Sequence, residues 1–277
     1  KSKDYLKNKE ASTLYSYKIA HFYINTGKLN LAIKTCNDAI EKFPDSFGAK
    51  NCTIIKNKIL EKHLSIKAEA YIPTNKNSKV LVTYNNIKQL YFSAYQLTEK
   101  QFSEFDKIYK TDEKIAYINT LETTKQWYSK LRNENDYLKH TTEIIIPKLK
   151  NGRHLIVASE NKNLKNKIFG TATLQATNLV LIENNFNNRY NFQVVNRNSG
   201  APIKNATIHL KNNLFKNNNF LFKKIKTDKL GFAKFYSDTY YKKVAISVKS
   251  KKDIAHFGSK YFYENRKNIK RKPIKTI

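Results

Sequence analysis

Redox or metal chemistry in this sequence would have to start from its two cysteines, Cys36 and Cys52. They lie 16 residues apart, and each is eight residues from Pro44. If helices flank that proline, the symmetry brings the two sulfurs together across the pair. They then form either a disulfide, which implies an oxidising compartment, or two buried thiols. Without clustered histidines they cannot supply the four ligands of a structural zinc site, so no metal is expected. The six histidines (His21, His63, His140, His154, His209 and His256) are dispersed, and none is spaced to pair with another on one helix face. There is no G-x-S-x-G elbow, no H-E-x-x-H helix and no glycine-rich phosphate loop. The acidic pair Asp112-Glu113 lies in a charged stretch and reads as solvated. The chain is therefore expected to be a non-enzyme with no cofactor.

Two stretches carry more specific local chemistry. Asn196-Arg197-Asn198-Ser199-Gly200-Ala201-Pro202 follows a β-type run and precedes another, which predicts a tight turn closed by Gly200 and stiffened by Pro202. Thr227-Asp228-Lys229-Leu230-Gly231 predicts a second turn. There Asp228 bonds the following backbone amides, and Gly231 takes a conformation that other residues avoid.

The elements that position these turns follow from hydrophobic period. Up to about residue 60 the spacing is helical. One helix runs to Gly27, a second covers 30–43 and is stopped before Pro44, and a third is capped by Asp45 or Ser46 and carries Ile54, Ile55 and Ile59. From Leu64 the pattern alternates, as in Leu64, Ile66, Ala68 and in Val80, Val82, Tyr84. The predicted domains are a helical region over 1–63, a β-sandwich over 64–183 with a helical insertion at about 98–138, a second β-sandwich over 184–259, and a linker or last strand over 260–277. Strands are expected near 90–95, 141–147, 153–159 and 171–182, and in the second sandwich near 190–196, 206–210, 220–226, 231–236 and 244–248. The fold class is mainly β with an N-terminal helical region and two antiparallel sandwiches.

The 277 residues hold 52 Lys and Arg against 22 Asp and Glu, a net charge of +30. Such a balance can mark a polyanion partner. Only six of the 52 are arginine, the residue of bidentate base and phosphate contacts, so specific nucleic-acid readout is not expected. Lys, Asn, Ile, Tyr and Phe all use A/T-rich codons, and a biased genome would produce the same composition. Hydrophobic residues at 40% and aromatics at 13% support packed cores, and no apolar run is long enough for a transmembrane helix. The chain contains no Met and opens Lys1-Ser2-Lys3, which reads as a fragment or processed product.

The run from Ala20 through Gly27 to Pro44 resembles one tetratricopeptide repeat, which cannot stand alone and must pack on something else. Further on, the strand Val82-Thr83-Tyr84-Asn85-Asn86-Ile87, the hairpin from Leu149 to Ala158 and the Asn-Arg-x-Ser-Gly-x-Pro pattern follow one another. In that order they resemble the N-terminal part of bacterial alpha-2-macroglobulin-like proteins. The resemblance covers most of the chain, with its specific motifs in residues 140–235. It implies fibronectin-III-like macroglobulin modules, an extracytoplasmic location, and protease trapping by the full-length protein, with proteases or other envelope proteins as partners. Many members carry a Cys-Gly-Glu-Gln thioester; neither Cys36, in Thr35-Cys36-Asn37-Asp38, nor Cys52, in Asn51-Cys52-Thr53-Ile54, has that context. An envelope adhesion or assembly module and a polyanion-binding basic protein remain the alternative readings.

Overall fold

The computed structural model describes residues 8–186, 189–212, 221–236 and 241–263. The end of the last expected segment, 264–277, and Phe220 lie outside them. Two compact units divide the chain. The first draws on Lys1–Glu69, Lys79–Ile146 and His154–Thr173, the second on Ala70–Ser78, Pro147–Arg153 and Leu174–Ile277.

In the first unit three helices precede the strands: α1 (Lys9–Asn25), α2 (Leu29–Lys42) and α3 (Phe47–Leu60). The Asn8 side chain accepts from the amides of Glu10 and Ala11, and Ser46 Oγ accepts from Ala49, so α1 and α3 begin on side-chain caps. On α2 the buried residues are Ala32, Cys36 and Ala39, a stripe of small side chains at helical spacing. It packs with Ala20 of α1 and with Cys52 and Ile55 of α3 into one core. Small residues let the helices approach closely, and the larger Tyr17, Tyr23 and Ile40 close the sides.

The strands then begin: β1 (His63–Ala68), β2 (Tyr71–Ile72), β3 (Ser78–Asn85) and β4 (Gln89–Leu97). Helices α4 (Glu99–Phe105) and α5 (Thr111–Asn119) follow. After them come β5 (Thr123–Lys130), β6 (His140–Ile146), β7 (Gly152–Ser159) and β8 (Phe169–Ala176). One sheet has the order β1-β3-β6, the other β8-β7-β4-β5, with β2 paired in parallel to the end of β8. The inner faces alternate as expected, with Val80, Val82 and Tyr84 from β3 and Leu90, Phe92 and Ala94 from β4 all buried. The span 98–138, expected as one helical insertion, holds α4 and α5 and then the strand β5. That strand pairs with β4 from Gln89↔Lys130 to Tyr95↔Thr123. Being an edge strand, it shows mostly exposed side chains and little apolar alternation, so its period is not visible in the text.

Strand β7 explains where the insertion goes. Its residues His154 to Ser159 are all buried, so both of its faces are covered. Leu155 and Val157 share a core with Tyr95 and Leu97 of β4, Phe105 of α4 and Ile118 of α5. The two short helices therefore roof the outer face of this sheet. Thr98 opens α4 with a capping box, its hydroxyl accepting from the Gln101 amide while the Gln101 side chain accepts from the Thr98 amide.

The second unit contains β9 (Leu179–Phe186), β10 (Arg189–Asn196), β11 (Thr207–Asn212), β12 (Leu221–Lys226), β13 (Phe232–Tyr236), β14 (Tyr241–Ser250) and β15 (Asp253–Tyr263). Its sheets have the orders β13-β10-β9 and β12-β11-β14-β15, three strands facing four. All pairings within them are antiparallel. Phe192 and Val194 from one sheet and Ile208, Leu210, Ile246 and Val248 from the other fill the core. The strand expected over 171–182 is two strands, β8 and β9, broken at Thr177-Asn178. The division expected after residue 183 falls inside β9, which pairs along its whole length with β10. The break is held from far away in sequence: Asp253 accepts from Thr177 Oγ1 and from the Asn178 amide, both at 2.8 Å, and from Asn151 Nδ2.

Candidate functional site

The two turn motifs converge on one corner of the second unit. Asn196 Oδ1 accepts from the amides of Asn198 and Ser199 at 2.9 and 3.2 Å, and the Gly200 amide donates back to Asn196 O at 2.8 Å. Gly200 has φ +69°, the left-handed region that glycine enters without a Cβ penalty. Pro202 lies opposite Val195 in an isolated bridge, where its lack of an amide hydrogen costs no ladder bond. In the second motif Asp228 Oδ1 accepts from the amides of Leu230 and Phe232, both at 2.9 Å.

Gly231 joins the two. Its carbonyl accepts from the Val194 amide at 2.9 Å, and Val194 O in turn accepts from the Ile203 amide at 2.9 Å. At φ +76° a Cβ on Gly231 would stand 2.5 Å from Val194 O and 3.2 Å from Pro202 Cβ. Only glycine fits. The buried Thr227 hydroxyl adds a second seam, donating to Ile203 O at 2.7 Å and accepting from the Ala206 amide at 2.9 Å. Arg197 continues the corner toward the β8–β9 break, with its Nε donating to Thr177 O at 3.1 Å and its guanidinium 5.8 Å from the Tyr71 ring centroid. Burial raises the Tyr71 phenol above its ordinary range, against the opposing pull of Arg153 and Arg197. Asn196, Thr227 and Asp228 use their side chains to hold backbone, while Asn198 bonds the Asn178 and Lys76 side chains.

Cys36 and Cys52 are brought together in the helical core, both as buried thiols. The hydrogen bond it shares with Cys52, and then burial, raise the Cys36 thiol above the ordinary thiol range.

A cleft of about 630 Å³ lies between the helices and the first strands of unit one. Ile24, Ile55 and Ile59 give it an apolar floor; Lys58, Lys62 and Lys139, with His21 and His63, stand around it. Its walls are tied by asparagines. Asn86 Nδ2 donates to Ile59 O and Glu61 O at 2.8 and 2.9 Å, and Asn30 Nδ2 donates to Asn135 O at 3.0 Å. Two of the cations have structural duties. Lys58 sits in the last turn of α3, where it complements the helix dipole, and Lys62 pairs with Glu160 at 2.5 Å. No sequence signal marked this cleft, because its residues come from four separate stretches, 21–29, 55–63, 85 and 137–139.

The remaining histidines are scattered. His140 Nε2 lies 2.8 Å from Asp136 Oδ1, and that bond, then the Leu138 amide, holds the Asp136 carboxyl below its ordinary range. His154 is buried in β7, and His209 and His256 belong to β11 and β15. Among the described residues no group of three or more His, Cys, Asp or Glu side chains could hold a metal ion. No helix among them is long and apolar enough to cross a membrane.

No family model matches the sequence, and no curated protein sequence matches it. Solved structures do. A crystal structure of native Escherichia coli alpha-2-macroglobulin spanning domains NIE-MG1 superposes with a TM-score of 0.51 at 10% identity, covering 71% of this chain and 97% of that one. A longer fragment of the same protein, spanning MG0-NIE-MG1, gives the same score and identity over 71% of this chain and 64% of that one. A Salmonella alpha-2-macroglobulin mutant structure aligns with a TM-score of 0.45 at 11% identity over 71% of this chain, which spans only 12% of its length. At these identities the likeness is one of fold. The chain is mainly β, with an N-terminal helical region and antiparallel sheets like those of macroglobulin domains.

Proposed function

We propose that this chain is a non-catalytic scaffold portion of an alpha-2-macroglobulin-like protein of the cell envelope, one that traps endopeptidases as a whole. The observation that carries the reading is the ordered likeness to the NIE-MG1 fragment, 97% of which the chain covers. The side-chain chemistry supports a scaffold role. The motif residues Gly200, Pro202, Asp228 and Gly231 are all used to fix one corner of a sandwich, and the Cys36–Cys52 pair is enclosed among helices.

The complete protein that contains this chain should be challenged with an endopeptidase. A trap leaves the captured protease able to cleave a small peptide substrate while it loses activity on a large protein substrate, since only the large one is excluded. The 277-residue chain by itself should neither inhibit nor hydrolyse. Equal activity on both substrates after challenge of the complete protein, or inhibition by this chain alone, would end the proposal.

A further inference from the structure

The net charge is not spread evenly. Residues 201–277 hold 20 of the 52 Lys and Arg but only 4 of the 22 Asp and Glu. The fold then sorts part of that excess onto one surface. On the four-stranded sheet of the second unit, Ile208, Leu210, Val244, Ile246 and Val248 point into the core. Strand alternation therefore turns Thr207, His209 and Lys211 of β11, and Lys243 and Lys249 of β14, to the outside. Register adds β12: Lys226 lies opposite Thr207, which lies opposite Lys249, and Lys224 lies opposite His209. Lys224, Lys226 and Lys249 are exposed.

Five lysines thus share the outward face of one sheet. The sole carboxylate on its four described strands is Asp253, which accepts from Asn151, Thr177 and Asn178. His209 reports the resulting field: burial first, then the ammonium groups of Lys224, Lys211 and Lys249, hold it below the ordinary imidazole range.

The other sheet of the same sandwich shows that genome-wide lysine bias does not account for this. Its register puts Phe186, Arg189 and Tyr236, then Asn184, Asn191 and Lys234, then Ile182, Gln193 and Phe232 in its outward rows, two cations among nine residues. The first unit's exposed lysines often meet carboxylates, as in Lys79–Glu143, Lys110–Glu113 and Lys167–Asp112. Like charges gathered without counter-ions cost stability, and a partner that neutralises them recovers it.

We propose that this lysine face binds a linear anionic polysaccharide. The spacing favours a polymer over a single anion. Lys224 and Lys226 are two residues apart on one strand, about 7 Å, and Lys226 and Lys249 lie two strands apart, about 10 Å. The residue type favours a polysaccharide over nucleic acid. All five cations are lysines, point charges without the planar fork of arginine.

The test uses the whole chain and two probes, heparin and a single-stranded oligonucleotide, at about 150 mM salt, where loose adhesion fades. Replacing Lys224, Lys226 and Lys249 by Glu should weaken heparin binding at least tenfold. A matched reversal at Lys67, Lys88 and Lys125 in the first unit should change it less than twofold. A Gln set at the first three positions, with unchanged melting temperature, should also lose affinity, which guards against misfolding of the Glu set. Equal losses from both reversals would overturn the proposal in favour of charge alone. Tighter binding of the oligonucleotide through the same three lysines would overturn it in favour of nucleic acid. Heparin binding too weak to measure at that salt would also end it.

Discussion

The two sandwiches build the same strand plan with opposite surface economies. In each, the first, second and fifth strands of the plan form a three-stranded sheet: β1, β3 and β6 in one, β9, β10 and β13 in the other. The larger sheets correspond as β5-β4-β7-β8 and β12-β11-β14-β15. In the first sandwich the connection from β4 to β5 carries α4 and α5, which cover the outer face, and the central strand β7 is buried on both sides from His154 to Ser159. Its counterpart β14 alternates strictly, burying Val244, Ile246 and Val248 and turning Lys243, Ala245, Ser247 and Lys249 outward. What a helix roof does for one sheet, charge does for the other: each prevents an exposed sheet face from becoming a sticky surface.

The fifth strand is also reached in two ways. Ahead of β6 the first sandwich uses residues 131–139, with Asn135 and Tyr137 at φ +53° and +60°. Ahead of β13 the second uses the five residues Thr227 to Gly231, closed by Asp228 and by a glycine pressed against Val194. The shorter turn concentrates its requirement on one residue; the longer one distributes it.

Matched substitutions can break or sharpen this comparison. The largest effect is expected from a lysine on the outward side of the two equivalent strands. Val157→Lys would bury an unpaired charge under α4 and α5 and cost about 4 kcal/mol or more. Ser247→Lys on β14 should stay within about 0.5 kcal/mol. Denaturant unfolding of each variant measures the gap, and equal costs would mean that the two faces do not differ as described. Next comes Gly231→Ala, with a backbone collision at 2.5 Å and an unfavourable φ, expected to cost about 3 kcal/mol. Thermal melting checks it, and a loss below about 1 kcal/mol would show that the corner yields easily.

The smallest effect concerns the helix roof. Burial first, and then the hydrogen bond from Tyr117 to Glu104, raise the Tyr117 phenol from 10.0 to about 12. The group is raised in the folded chain, so its stabilisation is complete below pH 10 and is lost as pH climbs from about 10 through about 12. Ultraviolet titration of tyrosinate should show one fewer late-titrating group in Tyr117→Phe than in the parent chain, and the variant's stability should fall less over that window.

How much of this could be read from the text depends on how local each signal is. The helix ends at Ser46 and near Gly27 were readable, because caps and breakers act within a few residues. So were the alternating strands and both turn motifs. Strand β5 was not, since an edge strand such as Thr123–Lys130 needs no apolar side chains and shows no period. The break at Thr177-Asn178 was equally hidden: neither residue is Gly or Pro, and the carboxylate that fixes it stands 75 residues later in the chain. That the motifs at 196–202 and 227–231 form one corner is also a long-range fact, carried by Gly231 O and Thr227 Oγ1.

The short strand β2 has a mechanical consequence. It runs parallel to the end of β8, with the Gln175 amide donating to Ala70 O and the Thr177 amide to Ile72 O, both at 2.8 Å. A tensile force applied to the two ends of the polypeptide would drag these segments past each other lengthwise, so both bonds would bear the load together instead of parting one after the other like a zipper.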